Sequence, residues 1–211
     1  MGFQRTIWSI VALAMTCAVP AAAEIVTYGE GADIRKNSNI RLDPGEKDVL
    51  KWMSDGRPYF GAMYVNQEID HAFAVINYHR YANAVRAAEA GCRTTSVSAP
   101  DRCVLYATVT PKGFAGNSSN PDGIGRDAEI GFRDAFLKNQ KKGQFGAFAV
   151  SGMSESGWSW GAPSRQVAVA AAMANCEAGV ASTLATFNAK ARAFLEQSGY
   201  AECRAVVVAG P

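Results

Sequence analysis

Phe145-Gly146-Ala147-Phe148-Ala149-Val150 repeats, with changes, what the chain has already written at Phe60-Gly61-Ala62-Met63-Tyr64-Val65. Each copy is followed by a second apolar stretch and an alanine-rich run ending in a cysteine, Cys92 or Cys176. A further cysteine, Cys103 or Cys203, then opens a β-branched strand. A pattern that returns with its order intact reads as an internal duplication, and this reading decides the fold.

Within the first copy, residues 59–65 and 72–76 predict two strands joined by the polar turn Asn66-Gln67-Glu68, with the small–large alternation of a half-covered sheet. Residues 80–91 turn to helical spacing, with Ala84, Val85, Ala87 and Ala88 on one slim face. The returning strand spans 103–109. In the second copy the strands are 144–150 and 157–160. Ser164 caps a helix that runs to Asn175, and the last strand is 204–208. The longer loop between the second pair of cysteines carries Leu184, Phe187, Ala191, Phe194 and Leu195, the spacing of one amphipathic helix. The alignment sets Phe73 and Val75 against Trp158 and Trp160, and Asp70-His71 against Glu155-Ser156. The one lost residue falls in the turn ahead of the second alanine helix.

Each copy has a leading helix. Asp43-Pro44-Gly45-Glu46 has the cap, the first-turn proline and the acid of a capping box, with Val49, Leu50, Trp52 and Met53 as the buried face and Gly56 and Pro58 as the stop. Residues 127–141 match it in the second copy, with Ala128, Phe132 and Phe136 four apart and Lys138, Lys141 and Lys142 at the end that suits cations. Residues 24–41 form a partly extended strap. The expected fold is α+β: two related units, each a small antiparallel sheet packed by a helix and closed by one disulfide. Their bounds are 24–109, with strap and leading helix, and 126–211, joined by a Gly/Pro/Asn/Ser-rich linker at 110–125.

Residues 1–23 set the compartment. Arg5 is the only charge before Glu24, residues 7–19 are an apolar run, and Ala21-Ala22-Ala23 follows Pro20. That is the layout of a secretory signal peptide cleaved after Ala23. A spanning helix needs roughly 20 apolar residues, more than this run offers before its proline, and no later run of that length is expected, so no membrane span is expected in the mature chain. Lys and Arg number 21 and Asp and Glu 19, so without Arg5 the remainder lies within one charge of neutrality. A nucleic-acid binder needs a basic face, and none is expected here; nor does a polybasic membrane patch appear. Of five cysteines Cys17 leaves with the signal, and an even set of four in an exported chain reads as disulfides. A repeat that carries its own bridge pairs Cys92 with Cys103 and Cys176 with Cys203. Each would contribute about 3 kcal/mol in the chain-entropy model.

These residues resemble the bacterial exported family known as the domain of unknown function (DUF) 4189: Phe145-Gly146-Ala147, Gly157-Trp158-Ser159-Trp160, Pro163-Ser164-Arg165, Cys176 and Cys203-Arg204-Ala205-Val206-Val207. The resemblance covers roughly residues 59–109 and 144–208. It is looser in the first copy, and the long insert between Cys176 and Cys203 departs from it. It implies fold and bridge, and carries no activity.

Three features are candidates for chemistry. His71, beside Asp70 and Glu68, could serve a periplasmic hydrolase as general base, but neighbours on a strand point to opposite faces, so a surface polar role is the better reading. Trp158 and Trp160 share a strand face and are the candidate ligand platform for a glycan or peptide, set against the reading as core positions. Residues 120–125, Asn-Pro-Asp-Gly-Ile-Gly, lack the acidic spacing of a calcium loop and the Gly-Lys-Ser/Thr of a phosphate loop, and read as a turn. The expectation is a non-enzymatic envelope or secreted interaction module without cofactor or metal, its partner an unidentified protein or glycan; an inhibitor or immunity protein is the alternative.

Overall fold

The computed structural model describes residues 25–29, 31–55, 58–115 and 123–211. The signal peptide expected over residues 1–23, the stop expected at Gly56 and the Asn120-Pro121-Asp122 part of the expected turn lie outside the described residues. The order is β1 (Ala32–Lys36), α1 (Pro44–Ser54), β2 (Gly61–Asn66), β3 (His71–Val75), α2 (Tyr81–Thr95) and β4 (Val104–Pro111). It continues with α3 (Arg126–Ile130, wound on as a π-helix over Gly131–Leu137), β5 (Phe145–Val150), β6 (Ser156–Ala162), α4 (Arg165–Leu184), α5 (Ala189–Gln197) and β7 (Arg204–Ala209). The fold is α+β, with a four-stranded antiparallel sheet ordered β1-β4-β2-β3 and a three-stranded one ordered β6-β5-β7.

The two sheets share one plan. The first strand of each hairpin is central, its hairpin partner lies on one side and the strand after the cysteine on the other. Even the irregularity recurs: β2–β4 shifts register between Met63 and Tyr64, and β5–β7 shifts between Phe148 and Ala149. An extra residue, Tyr106 in β4 and Val206 in β7, is taken up at the same ladder position in both sheets, where such an insertion bends and twists a strand locally.

α1 forms where the sequence places it. The Glu46 N–H donates to Asp43 Oδ1 at 2.7 Å and the Asp43 N–H donates to Glu46 Oε2 at 2.9 Å, closing the capping box. Met53 is fully buried, but Trp52 is 51% exposed and is no part of the buried face. Ser164 caps α4 through the Val167 N–H. That helix does not stop at Asn175; it runs through Cys176 to Leu184, because nothing in its alanine run ends a helix. Leu184 therefore belongs to α4. Asn188 starts a separate α5 by accepting the Ala191 N–H at 2.9 Å, so the single expected insert helix is two.

Both faces of each sheet are covered, which corrects the half-covered expectation. Met63, Val65, Tyr106 and Val109 face Met53 of α1, while Ala62 and Tyr64 face Ala84 and Ala88 of α2. In the second unit Phe148 and Val150 face Ala128 and Phe136, while Ala147 and Ala149 face Ala168 and Ala172 of α4. A central strand buried on both sides needs a continuous apolar run, which is why Phe-Gly-Ala-Phe-Ala-Val alternates so weakly.

The disulfides are Cys92–Cys103 (S–S 2.07 Å, Cα–Cα 6.1 Å) and Cys176–Cys203 (2.01 Å, 6.2 Å). Each ties a sheet-packing helix to the start of the strand that follows its second cysteine, β4 in one unit and β7 in the other. The units also share a core: Met153, Val180, Leu184, Leu195 and Tyr200 pack in one cluster with Phe60, Ala84 and Ala88.

Register corrects the alignment. Met63 pairs with Ala74 where Phe148 pairs with Trp158, so Ala74, not Phe73, stands in the place of Trp158. Between the equivalent pairs Val65↔Ala72 and Val150↔Ser156 lie residues 66–71 and 151–155, one fewer in the second unit. The missing residue is in the hairpin turn, where indels cost least, and not ahead of α4. His71 accordingly corresponds to Glu155.

Candidate functional site

A cleft of about 550 Å³ opens where the two units meet. Val150, Ile124 and Val206 supply apolar floor; Arg80, Asn83 and Arg204 supply polar rim, with Glu202 beside them. Arg80, Glu202 and Arg204 are exposed, and among the described residues none of the three makes an ion pair. The bridge-forming Cys203 fixes the start of β7, which sets Arg204 at the rim. The Asn83 amide donates to the Gly152 carbonyl at 2.8 Å, tying α2 to the loop after β5.

His79 forms the back of this cleft and is only 4% exposed. Its N–H donates to the Met153 carbonyl at 3.1 Å. Its Nδ1 accepts the Gly125 N–H at 2.9 Å, which leaves Nε2–H to donate to the Glu155 carbonyl, also at 2.9 Å. Burial pushes the imidazole down to about 4 against the opposing pull of the Glu155 carbonyl, so it is neutral at pH 7 with both nitrogens engaged. Close approach at Gly125 is obligatory: a Cβ there would collide with the Asn77 carbonyl. His79 is thus a latch between units rather than a base open to substrate.

A second buried group anchors the strap. Glu129, 2% exposed, accepts the N–H of Tyr28 and of Gly29 at 2.9 Å each and the Tyr59 hydroxyl at 2.6 Å. Arg126 adds a 2.6 Å bond to the Gly29 carbonyl. Burial, reinforced by Glu129, pushes the Tyr59 hydroxyl up, keeping it a proton donor.

The sequence candidates are dispersed. His71 Nε2 lies 2.6 Å from the Thr95 hydroxyl, which itself donates to the Gly91 carbonyl at 2.8 Å. The imidazole is therefore a donor to Thr95, and burial lowers its pKa. Glu68 pairs with Arg102 at 3.2 Å instead. Trp158 stacks on Phe148 (centroids 5.9 Å, planes 5° apart) and approaches Gly131, where a Cβ would come within 2.7 Å of the indole. Trp160 is 43% exposed, whereas Trp158 is half-buried against the core of the second unit. Among the described residues no three His, Cys, Asp or Glu side chains gather as a metal set. One helix there, α4, has the length and apolarity to cross a membrane, and its Ala168, Ala172 and Cys176 pack on the sheet.

Sequence reading missed the His79 latch because its partners lie 46 and 76 residues away. No local motif marks it. Comparison with protein-family models, with curated proteins and with solved structures gives no match to this chain.

Proposed function

We propose that the chain is an exported, non-enzymatic interaction protein, built from two copies of one ancestral module, that takes its ligand in the cleft between them. The observation that carries this is the rim: Arg80 and Arg204 stand over apolar floor without ion-pair partners among the described residues, while His79 spends both ring nitrogens on holding the units together. Two unpaired guanidiniums beside apolar surface suit a ligand with acidic groups and apolar bulk. The two disulfides fit an oxidising compartment, and the N-terminal signal pattern and the resemblance of residues 144–208 to an exported family support periplasmic or secreted residence.

The test is retention of an envelope-extract component by the immobilised mature chain, compared with an Arg80→Ala/Arg204→Ala variant. Loss of that component with the fold intact is expected. Equal retention by both proteins would move the site elsewhere, and turnover in a hydrolase screen abolished by His71→Ala would replace the reading with an enzymatic one.

A further inference from the structure

The two sheets are finished differently at the same edge. In the first, β1 lies antiparallel along the outer side of β4, pairing Ala32 with Pro111, Ile34 with Val109 and Lys36 with Ala107, and the Asn37 N–H donates to the Tyr106 carbonyl at 2.7 Å. β7 is the counterpart of β4: Met63 pairs with Ala107 as Phe148 pairs with Val207, and Val65 with Val104 as Val150 with Arg204. Yet among the described residues β7 pairs with β5 alone. Tyr106, Ala107, Thr108 and Val109 are buried, whereas Val206 through Ala209 remain partly exposed. The open strand, Arg-Ala-Val-Val-Val-Ala, is β-branched and contains no proline or lysine of the kind that blunts an edge.

We propose that the outer edge of β7 receives an extended segment of a partner protein as an added antiparallel strand, with acidic residues at that segment's C-terminal end. This rests on the cleft as the binding site. The direction follows from β1, whose N-terminal end meets Pro111 and whose C-terminal end runs toward the start of β4. A strand laid the same way along β7 brings its C-terminal end to Arg204, where the cleft and Arg80 begin. Main-chain hydrogen bonds would hold it, and carboxylates meeting the two guanidiniums would fix register and direction. A second copy of β7 fits less well: antiparallel self-pairing sets Arg204 against Ala209 and supplies no counter-charge.

The experiment uses the mature, oxidised chain and a phage-displayed library of random linear peptides. Enriched sequences are expected to alternate apolar residues and end in Asp or Glu. The best of them, made synthetically, should slow amide hydrogen exchange in Val206–Ala209 and lose at least about tenfold in affinity against Arg204→Glu. The same peptide N-methylated at alternate residues should not bind, which checks the strand bonds without altering the protein. Peptides that depend on Arg80 and Arg204 but leave β7 exchange unchanged would overturn strand addition while the cleft reading stands. Failure to enrich any peptide overturns the proposal, whether the chain stays monomeric or pairs with itself through β7.

Discussion

The two units solve one packing problem in opposite ways. In the first, the strand supplies bulk and the helix gives way: Phe73 projects from β3 onto Gly91 of α2, where any Cβ would overlap the ring. In the second, the strand gives way: Gly157 takes the place of Phe73, and a Cβ there would strike the backbone of α4 at Ala172 and Cys176. The residue in the place of Gly91 is then Asn175, whose amide donates to the Trp158 carbonyl at 2.9 Å. A shared plan of strands and bridges therefore tolerates exchange of large and small between layers, provided the helix-to-sheet distance is met on one side.

This contrast can be broken most severely at Gly157. Gly157→Ala sets a methyl against main chain that cannot rotate away, and should cost about 4 kcal/mol in denaturant unfolding, near the upper end for point substitutions. Gly91→Ala meets a side chain and should cost about 2 kcal/mol, part of it recovered by adding Phe73→Leu. Should both alanines cost the same and neither be rescued, the idea of two opposite solutions fails.

The bridges come next. Their loops span 11 and 27 residues, so removing Cys176–Cys203 should cost about 3.5 kcal/mol and removing Cys92–Cys103 about 3 kcal/mol. Paired Cys→Ser variants followed by calorimetry would read the difference, and the reverse order would mean that strain or residual structure outweighs loop length.

His79 sharpens the comparison at the seam. Its folded pKa of about 4 lies below the ordinary 6.5, so the unfolded chain takes up the proton first. The associated stability is complete above pH 6.5 and declines as pH falls toward 4, by about 2 kcal/mol at pH 5. His79→Ala should be less stable at pH 7 and should flatten that acid slope; an unchanged slope would show that other groups set it. Smallest are the caps: Asp43→Ala in the first unit and Ser164→Ala in the second should each cost about 1 kcal/mol in thermal unfolding.

Local signals were legible. Asp43 to Glu46, Ser164, and the recurrence of cysteine after an alanine run place α1, the start of α4 and the covalent framework. What escaped depends on distance or on the lack of a stop. An alanine run gives no end point, so α4 outlasts Cys176, and a continuous apolar strand does not say how many of its faces are covered. A one-residue deletion in a hairpin turn leaves no mark in the residues themselves, and placing it one turn too late displaces the matches of the second strand alone, setting Phe73 against Trp158. The cleft rim gathers Arg80 and Arg204 from different units, and only the fold brings them together.

Two like-built units differ in what lies along the far side of β4 and β7, and residue-resolved amide hydrogen exchange on the ligand-free protein tests this directly. Amides in Tyr106–Val109, between β2 and β1, should exchange slowly throughout, while those of Val206–Ala209 that point away from β5 should exchange at least about a hundredfold faster. Equal protection along both strands would contradict the open edge and, with it, the binding mode built upon it.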